Sequence, residues 1–122
     1  MAWSFNGREP VFLQIANRLR ADIIRGVYSP DEQFPSVRQL ATVAAVNPNT
    51  MQKALAFLEE EGLLYSKGTV GRFVTVDEEI ISRAKEDMRR QMVRSMLSEA
   101  RALGITEGEL INYITEEGKI RE

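Results

Sequence analysis

At 122 residues, 43% hydrophobic and 28% charged, the chain has the composition of an ordinary globular protein, enough for one compact domain and an appendage. It contains neither cysteine nor histidine, which excludes disulfides, thiolate or imidazole metal sites and histidine-based catalysis. Lys and Arg number 16 against 18 Asp and Glu, so the net charge of −2 lacks the basic excess that usually marks a nucleic-acid binder.

Trp3-Ser4-Phe5 alternates apolar and polar and fits a short edge strand as well as a tail with one packed aromatic. Pro10 suits a helix N-terminus, and Val11, Phe12, Ile15, Leu19, Ile23 and Ile24 form an apolar stripe to about Arg25, with Gly26 as terminator. The segment Tyr28 to Pro35 is a turn-rich link whose prolines set its direction, with Tyr28 and Phe34 plugging the edge of the core.

From Ser36 to Gly62 the pattern is that of two short helices joined by a tight turn. Ser36 and Gln39 have capping-box spacing, and the helix they open should end between Val43 and Ala45. Asn47 is a good N-cap, and Pro48 at the first helical position has no N–H to leave unsatisfied. Met51, Ala54, Leu55 and Leu58 follow at the spacing of a buried stripe, and Gly62 suits a left-handed stop. The opposite face of this second helix carries Asn49, Gln52 and Lys53, side chains able to read base edges or touch phosphate. Periodicity alone fits an ordinary solvated face equally well.

Leu63 to Ser66 and Phe73 to Val76 read as two strands around a hairpin tip containing Gly68 and Gly71, with Lys67 and Arg72 at its ends. A hairpin after a recognition helix is a wing, able to lie along a DNA backbone or enter the minor groove. From Asp77 the chain becomes one long helical pattern in which Ile81, Ala84, Met88, Met92, Met96, Ala100 and Leu103 form a stripe over ~40 Å. Such a stripe exceeds what so small a domain can cover, so a second copy is the expected partner. Arg83, Arg90, Arg94 and Arg101 line the other side, most simply as a solvated face. The methionines fit packing better than a ligand pocket. Thr106 and Glu109 should cap a last helix bearing Leu110, Ile111 and Ile114.

Phe34-Pro35-Ser36-Val37-Arg38-Gln39-Leu40-Ala41, then Val46-Asn47-Pro48-Asn49-Thr50, then Lys53-Ala54-Leu55 and Leu58-Glu59-Glu60-Glu61-Gly62-Leu63, resemble the GntR family of bacterial regulators. Asn-Pro-Asn-Thr with a short helical tail resembles its YtrA-type subgroup. The resemblance implies a mainly α (α+β) fold: a winged helix-turn-helix over residues 1–76 and a helical dimerisation region over 77–122. It implies a cytoplasmic homodimer acting on double-stranded DNA as a repressor at a palindromic operator, with transporter operons as common targets. The DNA-binding residues would be Ser36, Arg38, Asn47, Asn49, Thr50, Gln52, Lys53, Lys67, Gly68, Gly71 and Arg72, with Asn49 or Gln52 on adenine.

Four positions depart from common family usage: Phe12 replaces a tyrosine, Pro48 and Gln52 replace arginines, and Thr69 replaces a wing glycine. The acidic residues fall in surface-like runs, so no catalytic role, cofactor or metal is expected. No run reaches the ~18 apolar residues of a membrane helix, and the N-terminus lacks a signal-peptide layout. Nothing names a small-molecule effector. Near-neutral charge keeps one alternative open, a winged-helix module that binds protein rather than DNA.

Overall fold

Helical spacing of apolar residues and two short β-prone runs give the element order α1 (Val11–Ile24), α2 (Val37–Ala44), α3 (Pro48–Glu60), β1 (Leu64–Lys67), β2 (Gly71–Val74), α4 (Glu78–Ala102) and α5 (Glu107–Arg121). This is a computed structural model, and it describes residues 2–121. One compact unit ends at Ala84 and a second begins at Lys85. No helix among the described residues is long and apolar enough to cross a membrane.

In the first unit α1 and α2 both pack on α3. The core takes Ile15, Ala16, Leu19 and Ile23 from α1, Leu40, Ala41 and Ala44 from α2, and Met51, Ala54, Leu55 and Leu58 from α3. Leu63, Leu64 and Val74 close it from the hairpin side. These are the apolar stripes of the sequence, and burying them against one another is what holds the three helices together. The capping box forms as expected: Gln39 N–H donates to Ser36 Oγ at 3.1 Å and Ser36 N–H donates to Gln39 Oε1 at 2.9 Å. The turn between α2 and α3 passes through Ala45 in the left-handed conformation, φ 59°.

The hairpin differs from its sequence reading. β2 begins at Gly71 rather than Phe73, in the register Leu64 to Val74, Tyr65 to Phe73, Ser66 to Arg72 and Lys67 to Gly71. A three-residue tip, closed by Val70 N–H donating to Lys67 C=O at 2.9 Å, makes the wing tighter than the expected one. Gly71 permits this, because its φ of 135° is open to glycine and rarely to other residues. Thr75 leaves the ladder and donates its N–H to Leu63 C=O. The link before α2 is more ordered than its turn-rich composition suggested. Asp31 N–H donates to Val74 C=O and Phe34 N–H to Arg72 C=O, so the link lines the outer edge of β2. Trp3-Ser4-Phe5 forms no strand; Trp3 and Phe5 pack on the core, and Trp3 N–H reaches Ala44 C=O at 3.3 Å.

The expected dimerisation stripe divides into different environments. Ile80, Ile81 and Ala84 pack, partly buried, against the first unit's core, so part of the surface expected of Ile81 and Ala84 is covered within the chain. The first unit therefore runs past Val76 and into α4. In the second unit Ala100 is buried beside the α4–α5 corner, where Ile105 N–H donates to its carbonyl at 2.8 Å. Ala100 is unavailable to a partner for that reason. Met88 is half-buried, whereas Met92 (61%), Met96 (37%) and Leu103 (77%) are exposed. Thr106 and Glu109 form the expected capping box at the start of α5.

Candidate nucleic-acid interface

The first turn of α3 is anchored from behind and open in front. Met51, Ala54, Leu55 and Leu58 are essentially fully buried, and the 3.6-residue repeat turns Asn49, Gln52 and Lys53 to solvent. Asn47 caps the helix, its Oδ1 accepting from Asn49 N–H at 2.7 Å. Its side-chain oxygen is thereby engaged locally, while its NH2 stays free of hydrogen bonds among the described residues. Thr50 is half-buried. Lys53 lies with Nζ 4.2 Å from the centre of the Phe12 ring, itself edge-to-face with Phe57 at 6.1 Å.

Arg38, in the first turn of α2, is exposed and makes no ion pair among the described residues. The acids of the preceding link are engaged elsewhere: Asp31 with Lys67 and Tyr65, Glu32 with Ser29 N–H. A cation at a helix N-terminus opposes the dipole, so Arg38 is placed for an external anion rather than for stability. Beside it, a groove of about 650 Å³ between the start of α2 and the wing is lined by Ser36, Gln39, Gly68, Gly71 and Arg72, among others.

The wing cations are not free. Lys67 Nζ sits 3.8 Å from Asp31 Oδ1 and 4.4 Å from the Phe73 ring centre. Asp31 also accepts the Tyr65 hydroxyl, and that hydrogen bond, aided by burial and the Asp31 charge, holds the phenol above its ordinary pKa. Arg72 Nε donates to Glu59 Oε1 at 2.9 Å, and its Nη1 approaches Gln52 Oε1 at 3.5 Å. Ser66 Oγ donates to the same Glu59 carboxylate. The wing is thus bolted to the outer face of α3. Gln33 Nε2 donates to Val70 C=O at 3.0 Å and steadies the tip.

Ser36, Gly68, Gly71 and Arg72 are brought to one groove, and Arg72 links them to Gln52. Arg38, Asn49 and Lys53 stand exposed on the two helices, with no hydrogen bond joining their side chains among the described residues. Sequence reasoning missed Glu59 and Gln33. Glu59 was detectable, since it follows Gln52 by seven residues and so shares its helix face; Gln33 had no local signal, because its role comes from the link running beside β2.

Residues 12–74 match the model of the family described as bacterial regulatory proteins, gntR family. The chain belongs to the GntR family. This is a family of regulators rather than enzymes, and its winged helix is the fold seen here, five helices with a small two-stranded sheet. The GntR chain is 28% identical to the HTH-type transcriptional repressor YtrA of Bacillus subtilis over 108 residues, covering 88% of this chain and 83% of that one. A GntR family transcriptional regulator from Listeria monocytogenes superposes with a TM-score of 0.82 at 32% identity, over 92% of this chain and 98% of that one. AraR(DBD) in complex with operator ORX1 matches with a TM-score of 0.55 at 30% identity, over 59% of this chain and 93% of that one. The YtrA-type resemblance read from Asn47 to Thr50 and the short tail is borne out by these relatives.

Proposed function

We propose that this chain is a sequence-specific DNA-binding transcriptional regulator, a dimeric cytoplasmic repressor of a palindromic operator. The observation that carries the proposal is the outward polar turn of α3, with Asn49, Gln52 and Lys53 exposed over a buried apolar anchor. A helix so presented fits the major groove, with its N-terminal residues at the base edges. Asn49 and Gln52 would discriminate bases. Arg38, Lys53 and Ser36 would hold phosphate, and the wing glycines Gly68 and Gly71 would let the backbone approach the duplex. Asn47 and Thr50 would act chiefly by starting the helix. The solved AraR(DBD)–operator complex and the repressor YtrA support this reading by likeness, and control of a transporter operon is the role the YtrA-type resemblance implies.

Residues 1–76 would form the DNA-binding part and 77–122 the dimerisation part, with α4 also contributing Ile80, Ile81 and Ala84 to the first. Met88, Met92, Met96 and Leu103 are the stripe left for a second copy. Two recognition helices would then read half-sites about one or more helical turns apart.

One observation favours the other class, a winged-helix module that binds protein. Lys67 and Arg72 are both paired with acids, which removes two cations from the phosphate balance. Titration against genomic fragments at two salt concentrations separates the two readings. A regulator shows sequence preference and an affinity that falls with salt; a protein-binding module shows neither.

A further inference from the structure

We propose that Arg72, held in place by Glu59, fixes the Gln52 amide so that it reads guanine rather than adenine. The inference rests on the DNA-binding function proposed above and deepens it at one base position.

Gln52 and Glu59 lie two turns apart on one face of α3, with the small side chain of Ala56 between them. Arg72 crosses to this face from β2, its side chain only 18% exposed, and donates to Glu59 at 2.9 Å. Ser66 Oγ donates to both oxygens of the same carboxylate, at 3.1 Å each. The guanidinium is therefore held at its Glu59 end, and Nη1 stands 3.5 Å from Gln52 Oε1.

A guanidinium carries donors and no acceptor. The part of the Gln52 amide that faces it has to be the carbonyl oxygen, and the NH2 is turned the other way. Glutamine recognises adenine by giving a hydrogen to N7 while its oxygen accepts from N6. Here the oxygen is drawn to a cation, and the outward edge of the Gln52–Arg72 pair consists of N–H donors. Guanine presents two acceptors side by side in the major groove, N7 and O6, and no donor. Thymine offers one acceptor beside a methyl group and cytosine offers a donor, so guanine is the base that a donor-only edge matches. An isolated Gln52 on a helix face would have suggested adenine.

The test is site selection from a random duplex pool by the full-length wild-type, Gln52→Ala and Arg72→Met proteins. It is followed by titration of wild type and Gln52→Ala on the selected site with 7-deazaguanine at the Gln52-dependent position. In wild type that position is expected to be guanine, and Gln52→Ala should lose the preference there alone. Removing N7 should weaken wild type by roughly tenfold and leave Gln52→Ala unchanged. Arg72→Met frees the amide, so adenine should become accepted at that position. If the variant fails to fold by circular dichroism, the 7-deazaguanine titration decides by itself. A wild-type site with any base other than guanine at the Gln52-dependent position, no position that depends on Gln52, or a folded Arg72→Met that still rejects adenine overturns this inference and leaves the DNA-binding function standing. Selection of no site at all overturns the DNA-binding function itself, and this inference with it.

Discussion

At the scale of single residues, stability and binding separate at Arg38. The side chain has no acidic partner among the described residues and opposes the dipole of α2. Arg38→Ala should leave the thermal midpoint unchanged or higher, yet weaken binding to all DNA sequences and reduce the salt slope by about one; paired melting and titration check both. Asn49→Ala should behave differently, costing ~1–3 kcal/mol on the operator and little on random DNA. Phe12 allows a gain. It packs on Phe57 and beside Lys53, where the family commonly keeps tyrosine, so Phe12→Tyr should add a phosphate hydrogen bond worth about 0.5–1.5 kcal/mol on every duplex. Equal affinity of the variant and wild type on operator and random DNA would refute that.

Elements were more legible than the ties between them. The capping box at Ser36, the Asn47 cap with Pro48 behind it and the Gly62 stop all follow from local chemistry, and each stands where its residues put it. The start of β2 did not, because it depends on how tightly the wing tip turns around Gly71. The Glu59–Arg72 and Gln33–Val70 ties were equally hidden, since both join segments distant in the chain. Glu59→Ala should therefore loosen the wing without unfolding the helices, seen as faster amide exchange confined to β1 and β2. At the α5 end, the Thr106 N–H and then its hydroxyl hold the Glu109 carboxyl below its ordinary pKa. A carboxylate with a lowered folded pKa stabilises fully above its unfolded value, and the contribution vanishes as pH falls through the folded value. Circular dichroism in acid should show α5 losing helix, and Thr106→Ala should reduce the pH dependence of that loss.

For the molecule as a whole, composition gave the wrong emphasis on charge. A net charge of −2 argued against DNA, while the decisive cues were linked motifs and the face of one helix. The stripe from Ile81 to Leu103 read as one surface, because periodicity records which residues share a side and not which neighbour covers them. Ile80, Ile81 and Ala84 pack, partly buried, against the first unit's core, so truncation after Val76 should destabilise that unit by about 2 kcal/mol relative to truncation after Ala84. Chemical denaturation of the two fragments measures the difference. Met92→Glu with Met96→Glu, changes confined to exposed positions, should give a folded monomer by sedimentation with weakened operator binding; a variant that stayed dimeric would remove these methionines from the interface.

Pairing Lys67 with Asp31 and Arg72 with Glu59 also bears on how the regulator is distributed in a cell. Wing cations held by acids displace fewer counterions, hence a weaker hold on the bulk of the chromosome. More copies would then stay unbound rather than stored along irrelevant sequence. Operator occupancy would track the rate of synthesis closely, and modest changes in expression of the protein itself would be enough to switch its target.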